Sequence, residues 1–264
     1  VLGRNNKMIS VNYDQLKQDI IGKDVPMHPS GTLSGHAAGE PFDKLIYENI
    51  KSKFPNNTFR QYEYLNYLYS NNTDKVGTQA RQSLFDSPTV MFLLSRGKKV
   101  TDDWSVDNLF EEKQNDTADM LVTDNGLFDI IDIKTRNLSK KAQPPNIISS
   151  FKLAQVCAKM IDNSEFEAFT INYFEVGWLL KGDRLVCQDT YVANLFKANP
   201  CELYINWAAA MQVQFQVSGL DQSFNGTMEE WAREYLKHFV MHARRRSNDM
   251  IKKFVTPFEK YLIN

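Results

Sequence analysis

Residues 115–141, NDTADMLVTDNGLFDIIDIKTRNLSKK, constrain the fold of this chain more than any other stretch. Two short apolar runs, TADMLV and LFDIIDIK, are joined by Thr123-Asp124-Asn125-Gly126. Asn-Gly between apolar runs predicts a β-hairpin, because the tight hairpin turn needs positive φ at both of its central positions. Side chains alternate faces along a strand, so Phe128, Ile130, Asp132 and Lys134 lie on one side of the second run. Leu127, Asp129, Ile131 and Ile133 lie on the other. Asp132 and Lys134 therefore point the same way, and Asp119 on the partner strand is placed to meet them.

The bulk of the chain sets outer limits. With 264 residues, 42% hydrophobic and 24% charged, it can form one large globular domain or two small ones, and no composition break marks a linker. A formal charge of -1 and a pI near 6.5 give no global case for a polyanionic partner, so nucleic-acid binding must rest on local basic patches. Cys157, Cys187 and Cys201 lack paired spacing and the N-terminus shows no charged-then-apolar signal, which points to a reduced, cytoplasmic setting. No apolar run approaches the roughly 20 residues needed to span a bilayer. The first residue is Val1 rather than methionine, so the start is expected to be missing or trimmed.

Helical and strand periodicities alternate on either side of the hairpin, as in a mixed α/β fold with a central mixed sheet flanked by helices. Leu16, Ile20 and Ile21 space as a short helix within residues 11–21. Residues 28–42, HPSGTLSGHAAGEPF, read as a loop feeding a helix that begins near Pro41, since proline is favoured at the first helical position. The alternative brings the loop amides or His36 near a phosphate. Glu40 favours the helix dipole or lies near a metal. Residues 59–69 fit strand or helix equally, and 88–94 (PTVMFLL) form a buried run. That run empties into Ser95-Arg96-Gly97-Lys98-Lys99, either a phosphate clamp or a solvated turn.

After the hairpin, Pro144-Pro145 stiffen a loop, and Asn146 is placed to cap a helix over 147–162. Strands are expected at 166–176, 184–188 and 211–217, the last with Met211, Val213, Phe215 and Val217 on one face. Thr227-Met228-Glu229-Glu230 is a capping-box pattern for a long C-terminal helix that Pro257 should kink or end. His238 and His242 read as surface histidines, because no acid completes a hydrolase motif between them. Arg244-Arg245-Arg246 is a solvated face or a backbone contact.

Phosphodiester cleavage needs a nucleophilic water, charge neutralisation at the phosphate and help for the leaving oxygen. Two carboxylates holding Mg²⁺ with a lysine beside them supply all three in one patch. Asp119 and Asp132 are the expected ligands, with the carbonyl of Ile133 a third, and Lys134 would hold or deprotonate the water. Glu111-Glu112-Lys113 also has the acid-x-Lys spelling, but it lies in the polar run EEKQND and reads as a solvated turn.

Ala118-Asp119 followed by Asp132-Ile133-Lys134 resembles the PD-(D/E)xK nuclease signature. More specifically, SGTLSGHAAGEPF (30–42), FLLSRGK (92–98), NLFEEKQNDTAD (108–119), KAQPPNIIS (141–149), LAQVCAKMID (153–162), ELYINWAAAMQ (202–212) and FNGTMEEWA (224–232) resemble, in order, the HincII family of type II restriction endonucleases. Ala118 replaces the signature proline, a departure shared with that family.

The resemblance implies one restriction-endonuclease-like PD-(D/E)xK domain over 1–264, acting on double-stranded DNA as a homodimer. It implies Mg²⁺-dependent cutting of a GTYRAC-type palindrome to blunt ends with 5′-phosphates. It puts the ligands on Asp119 and Asp132 and the catalytic lysine on Lys134. DNA reading falls to the loop with Ala142 and Gln143 and to Asn206 with Tyr204. Arg96, Lys98 and Lys140 are expected phosphate contacts, and Asn137 a further DNA contact. Two rival readings are a structure-selective or repair nuclease on the same fold and a DNA-binding protein that has lost catalysis.

Overall fold

The computed structural model describes residues 10–33, 35–70, 75–94, 116–141 and 143–262. Helix α1 (Tyr13–Ile20), capped by the Asn12 side chain, buries Leu16 and Ile20, whereas Ile21, grouped with them by spacing, is its exposed C-cap. Strand β1 (Asp24–Pro26) leads to α2 (Gly35–Lys53), which starts six residues before the expected beginning at Pro41. Pro41 forfeits one backbone hydrogen bond inside this helix. The early turns instead lie close over the sheet: a Cβ on Gly39 would come 3.4 Å from Thr135 Oγ1. The tyrosine-rich segment resolves into a strand end, β2 (Thr58–Phe59), and then helix α3 (Gln61–Ser70). Helices α4 (Lys75–Phe85) and α5 (Pro88–Leu94) follow, and the apolar run 88–94 is buried as a helix through Val90, Leu93 and Leu94.

The hairpin forms as its turn chemistry predicts. Strand β3 (Met120–Asp124) and β4 (Leu127–Asn137) pair antiparallel around Asn125 and Gly126, whose φ values of 50° and 82° are the left-handed pair that a two-residue turn needs. The expected Asn146 cap is corrected. Asn146 opens strand β5 (Asn146–Ser149), and Ser149 caps α6 (Ser150–Asn163) by accepting from the Lys152 amide. Asn146 is drawn into the strand because its side chain and backbone face Gln214 on another strand.

Strands β6 (Phe169–Lys181), β7 (Arg184–Asn194), β8 (Tyr204–Asn206) and β9 (Gln212–Gln214) complete two sheets. The larger has the order β1-β7-β6-β4-β3-β2, with β4 and β6 parallel and the other pairs antiparallel; the smaller has the order β5-β9-β8. β9 starts one residue after the expected 211 because Met211 takes positive φ, and it stops at Gln214, short of a 3-10 turn at Val217–Gly219. Val213, Phe215 and Val217 are buried nonetheless, whereas Met211 is exposed.

Two apolar layers flank the six-stranded sheet. Phe128 and Ile130 face one with α3, α5 and α6, while Ile131 and Ile133 face the other with α1 and α2. Helix α7 (Met228–Met250) begins with the full capping box, Thr227 and Glu230 exchanging hydrogen bonds, and packs Trp231 and Tyr235 into the first layer. His238, expected at the surface, is buried with Nε2 2.9 Å from the Leu203 carbonyl, because the chain after β7 folds over it. The α-helix ends at Met250. One π-helical turn, Ile251–Val255, leads into α8 (Thr256–Glu259), where Pro257 lies in the first turn and needs no amide partner. Among the described residues no helix is long and apolar enough to cross a membrane.

One buried acid makes stability depend on pH. Asp129, 1% exposed, accepts from Tyr13 Oη and Asn172 Nδ2, yet burial pushes its carboxyl up to about 6. A folded-state value above the unfolded ~3.9 means the folded chain holds this proton more tightly. Its contribution is full below pH ~4 and is lost as pH rises through about 6. Urea unfolding of wild type and Asp129→Asn from pH 4 to 7 should show the wild type losing ground with rising pH, by on the order of 3 kcal/mol. Parallel stability curves would refute the assignment.

Candidate active site

The β3–β4 register ends at Met120↔Ile131, and Asp119, the residue just before β3, lies close enough to Asp132 for their carboxyl groups to interact. The backbone keeps it there: the Asp119 amide donates to the Ile131 carbonyl at 3.1 Å, and the Ile133 amide donates to Asp119 Oδ2 at 2.6 Å. Two residues along the strand, Lys134 Nζ reaches Asp132 Oδ1 at 2.8 Å. The three side chains that alternation grouped are therefore in contact or in adjacent register. Burial, reinforced by the Asp119 carboxylate, pushes the Asp132 carboxyl well above the usual range, and the Lys134 ammonium opposes this. The neighbouring Asp132 and Asp119 raise the Lys134 value despite burial. Like charges facing each other across a hairpin are unfavourable, so this patch is built to receive a cation.

Asp119, Ile133 and Lys134 line a cleft of about 610 Å³ where β4 emerges from the core. One wall is Glu40 and Asp43 of α2, and another is the basic run after β4, with Arg136, Lys140, Lys141 and Gln143. Asn137 lines it too, but its Oδ1 is engaged by the Ser139 amide and hydroxyl. Arg60 Nη1 grips Asp43 at 2.7 and 2.8 Å and also reaches the Asp119 carbonyl at 3.3 Å. Arg136 is anchored from behind, its Nε 3.0 Å from Oε1 of the buried Glu175.

The structure brings Lys140, Gln143 and Asn137 into the cleft beside Asp119, Ile133 and Lys134. Tyr204 and Asn206 line a separate depression with Trp207, His238 and Arg246. The Asn206 amide is already engaged there: Nδ2 donates to Gln214, and Oδ1 accepts from Ala208 and Ala209. Arg96, Lys98 and Ala142 lie outside the described residues, as does the Glu111-Glu112-Lys113 decoy, and so does the His36 side chain. Arg136 could have been found by extending the Asp132–Lys134 alternation one step. Nothing in the local sequence signals the Arg60–Asp43 clamp.

Among the described residues no group of three His, Cys, Asp and Glu side chains gathers as a metal cage. Two facing carboxylates are still an adequate donor set for Mg²⁺, which keeps several waters and takes one or two carboxylates from a protein.

A facing acid pair with a lysine, at the mouth of a mixed sheet, is the set that a divalent metal-dependent phosphodiesterase requires. The model of the restriction endonuclease HincII family matches residues 16–262, and the chain belongs to that family. It is 59% identical over 251 residues to the type II restriction enzyme HindII of Haemophilus influenzae strain Rd, covering 95% of this chain and 97% of the relative. Identity and coverage are the same for the type II restriction enzyme HincII of Haemophilus influenzae. The solved NlaIV restriction endonuclease aligns with 90% of this chain and 92% of its own at 9% identity, with a TM-score of 0.38, too loose to bear on the argument. The chain is thus a type II site-specific deoxyribonuclease. This sets aside both the repair-nuclease and the non-cutting readings.

Proposed function

We propose that the chain is a Mg²⁺-dependent homodimer that cuts both strands of a GTYRAC-type palindrome at its centre, leaving blunt ends with 5′-phosphates. The observation that carries this reading is the convergence of Asp119, Asp132 and Lys134 at one end of a hairpin, in a chain similar over 95% of its length to HindII and HincII. Asp119 and Asp132, with the Ile133 carbonyl, would hold Mg²⁺, which when bound supplies positive charge to the scissile phosphate and the leaving oxygen. Lys134 orients the attacking water and offsets charge at the phosphate. Glu40 and Asp43 keep the opposite wall of the cleft acidic.

Sequence reading falls to Gln143 on its proline-stiffened loop, with Ala142, and to Asn206 with Tyr204. Engagement of Asn206 with a base edge requires exchange of its present amide partners. Lys140, Arg96 and Lys98 contact phosphates, and Asn137 assists from the cleft wall. A pyrimidine-purine step at the centre deforms readily and suits recognition through DNA shape. Two-fold symmetry lets each subunit read one half-site. The setting is cytoplasmic, where Cys157, Cys187 and Cys201 remain free thiols.

Sequencing the ends of plasmid fragments made with Mg²⁺ tests the reading directly. Discrete fragments with flush ends inside a GTYRAC-type site are expected. Staggered ends or cutting at an unrelated sequence would overturn the specificity, and cutting that needs no divalent cation would overturn the cofactor.

A further inference from the structure

The second half of α7 leaves the body of the molecule. Trp231, Ala232, Tyr235 and His238 are its buried residues, and no residue from Met241 to Leu262 is buried. Though rich in charge, the segment also exposes large apolar side chains. Val240, Ile251, Phe254, Phe258 and Leu262 are 42–79% exposed, and together with the half-buried Leu236 they recur at steps of three, four or eleven residues. Within α7 the steps from Leu236 to Val240 and on to Ile251 are close to whole helical turns, so these side chains form a stripe, and the π-turn and α8 carry Phe254 and Phe258 on from its end. A helix draws most of its stability from packing such a stripe, and a contiguous apolar patch of this size marks an interaction surface.

We propose that α7 and its extension through Leu262 form the dimer interface, packing antiparallel against the same segment of a second copy with the two-fold axis beside Ser247. The proposal rests on the homodimer reading above and locates its contact surface. Area is one support: Val240, Met241, Met250, Ile251, Phe254, Val255, and the three large residues beyond them, expose apolar surface of the order of the ~800 Å² per partner that a stable interface buries.

Charge is a second support. The first turns, 228–237, carry Glu229, Glu230 and Glu234 against Arg233 and Lys237, whereas residues 244–260 carry Arg244, Arg245, Arg246, Lys252, Lys253 and Lys260 against Asp249 and Glu259. Antiparallel packing sets acidic against basic ends, and parallel packing would set like against like. Register is the third. Val240 and Phe254 lie seven residues either side of Ser247, Leu236 and Phe258 eleven, and Glu234 and Lys260 thirteen. The two-fold therefore seats Phe254 and Phe258 of each copy in the depression of about 550 Å³ formed by Leu236, Lys237, Val240, Met241 and Arg244 of the other, with Glu234, paired within its own helix to Lys237, facing Lys260 at its rim.

Two variants test this. In a Cys201→Ser background, which removes the exposed thiol, Ser247→Cys should cross-link into a covalent dimer on mild oxidation. The double variant Phe254→Asp with Phe258→Asp should weaken dimerisation at least 100-fold in sedimentation equilibrium while unfolding in urea like the wild type. If the double variant stays dimeric and Ser247→Cys gives no covalent dimer, the interface lies elsewhere and the homodimer reading survives. A wild type that is monomeric both free and on a palindromic duplex in Ca²⁺ would overturn both. Binding of a monomeric chain to phosphatidylglycerol vesicles, lost in the double variant, would overturn the second-copy assignment in favour of a membrane surface.

Discussion

Asp132→Asn is expected to yield a folded protein whose single-turnover cutting in Mg²⁺ falls by roughly 10⁴-fold or more. The amide keeps the shape of the carboxylate but removes one of the two charges that face each other across β3 and β4. Because Asp132 is buried beside another acid, its ionised form is costly without a cation, and the variant should resist urea at least as well as the wild type in metal-free buffer. Loss of cutting with stability retained or gained separates a ligand role from a scaffold role. Cutting within tenfold of wild type would remove Asp132 from the machinery.

Lys134→Ala should lower the same rate by roughly 10²- to 10⁴-fold. Its Nζ stands 2.8 Å from Asp132 Oδ1, so the variant leaves both acids and deletes only the positive group. Binding of a cognate duplex in Ca²⁺ should survive both substitutions, since the Gln143 loop and Lys140 are untouched. Loss of binding in step with loss of cutting would make Lys134 a DNA anchor rather than a catalytic group.

How much of this was legible follows from the range over which each signal acts. The hairpin was readable because its determinants are local: Asn-Gly fixes the turn, period-two alternation fixes the faces, and together they place Asp119 against Asp132 and beside Lys134. The capping box of α7 was readable for the same reason. Asn146 misled because an asparagine serves a helix cap or a strand equally well, and the choice was made by Gln214, sixty-eight residues away. His238 misled because its exposure depends on where residues 195–203 fold. The start of α2 was missed because a packing demand of Gly39 against Thr135 outweighed the local preference of Pro41. Of the acidic wall, Glu40 was flagged by its place near a helix start, but Asp43 was invisible, because Arg60 and Asp43 meet only through tertiary contact.

Arg136 shows how such a contact supports the site, and Arg136→Ala should destabilise the fold by about 3 kcal/mol, near the low end for breaking a buried ion pair. Glu175 is 1% exposed; Arg136 Nε binds its Oε1 at 3.0 Å, and its Oε2 accepts from the Val217 amide at 3.2 Å. The same guanidinium approaches Asp189 at 4.0 Å, and Asp189 Oδ1 is a buried oxygen without a hydrogen-bond partner. Removing the arginine would leave the buried Glu175 of β6 with only the Val217 amide and take the nearby cation from Asp189 of β7. For a chain of this size the loss corresponds to roughly 6–12 °C in Tm. Glu175→Gln in the Arg136→Ala background should recover part of it, because an amide is cheaper to bury than an unpaired charge. Urea unfolding of both single variants and the double one gives the coupling. An Arg136→Ala protein within 0.5 kcal/mol of wild type would show instead that the Arg136–Glu175 pair adds nothing to the stability of the fold.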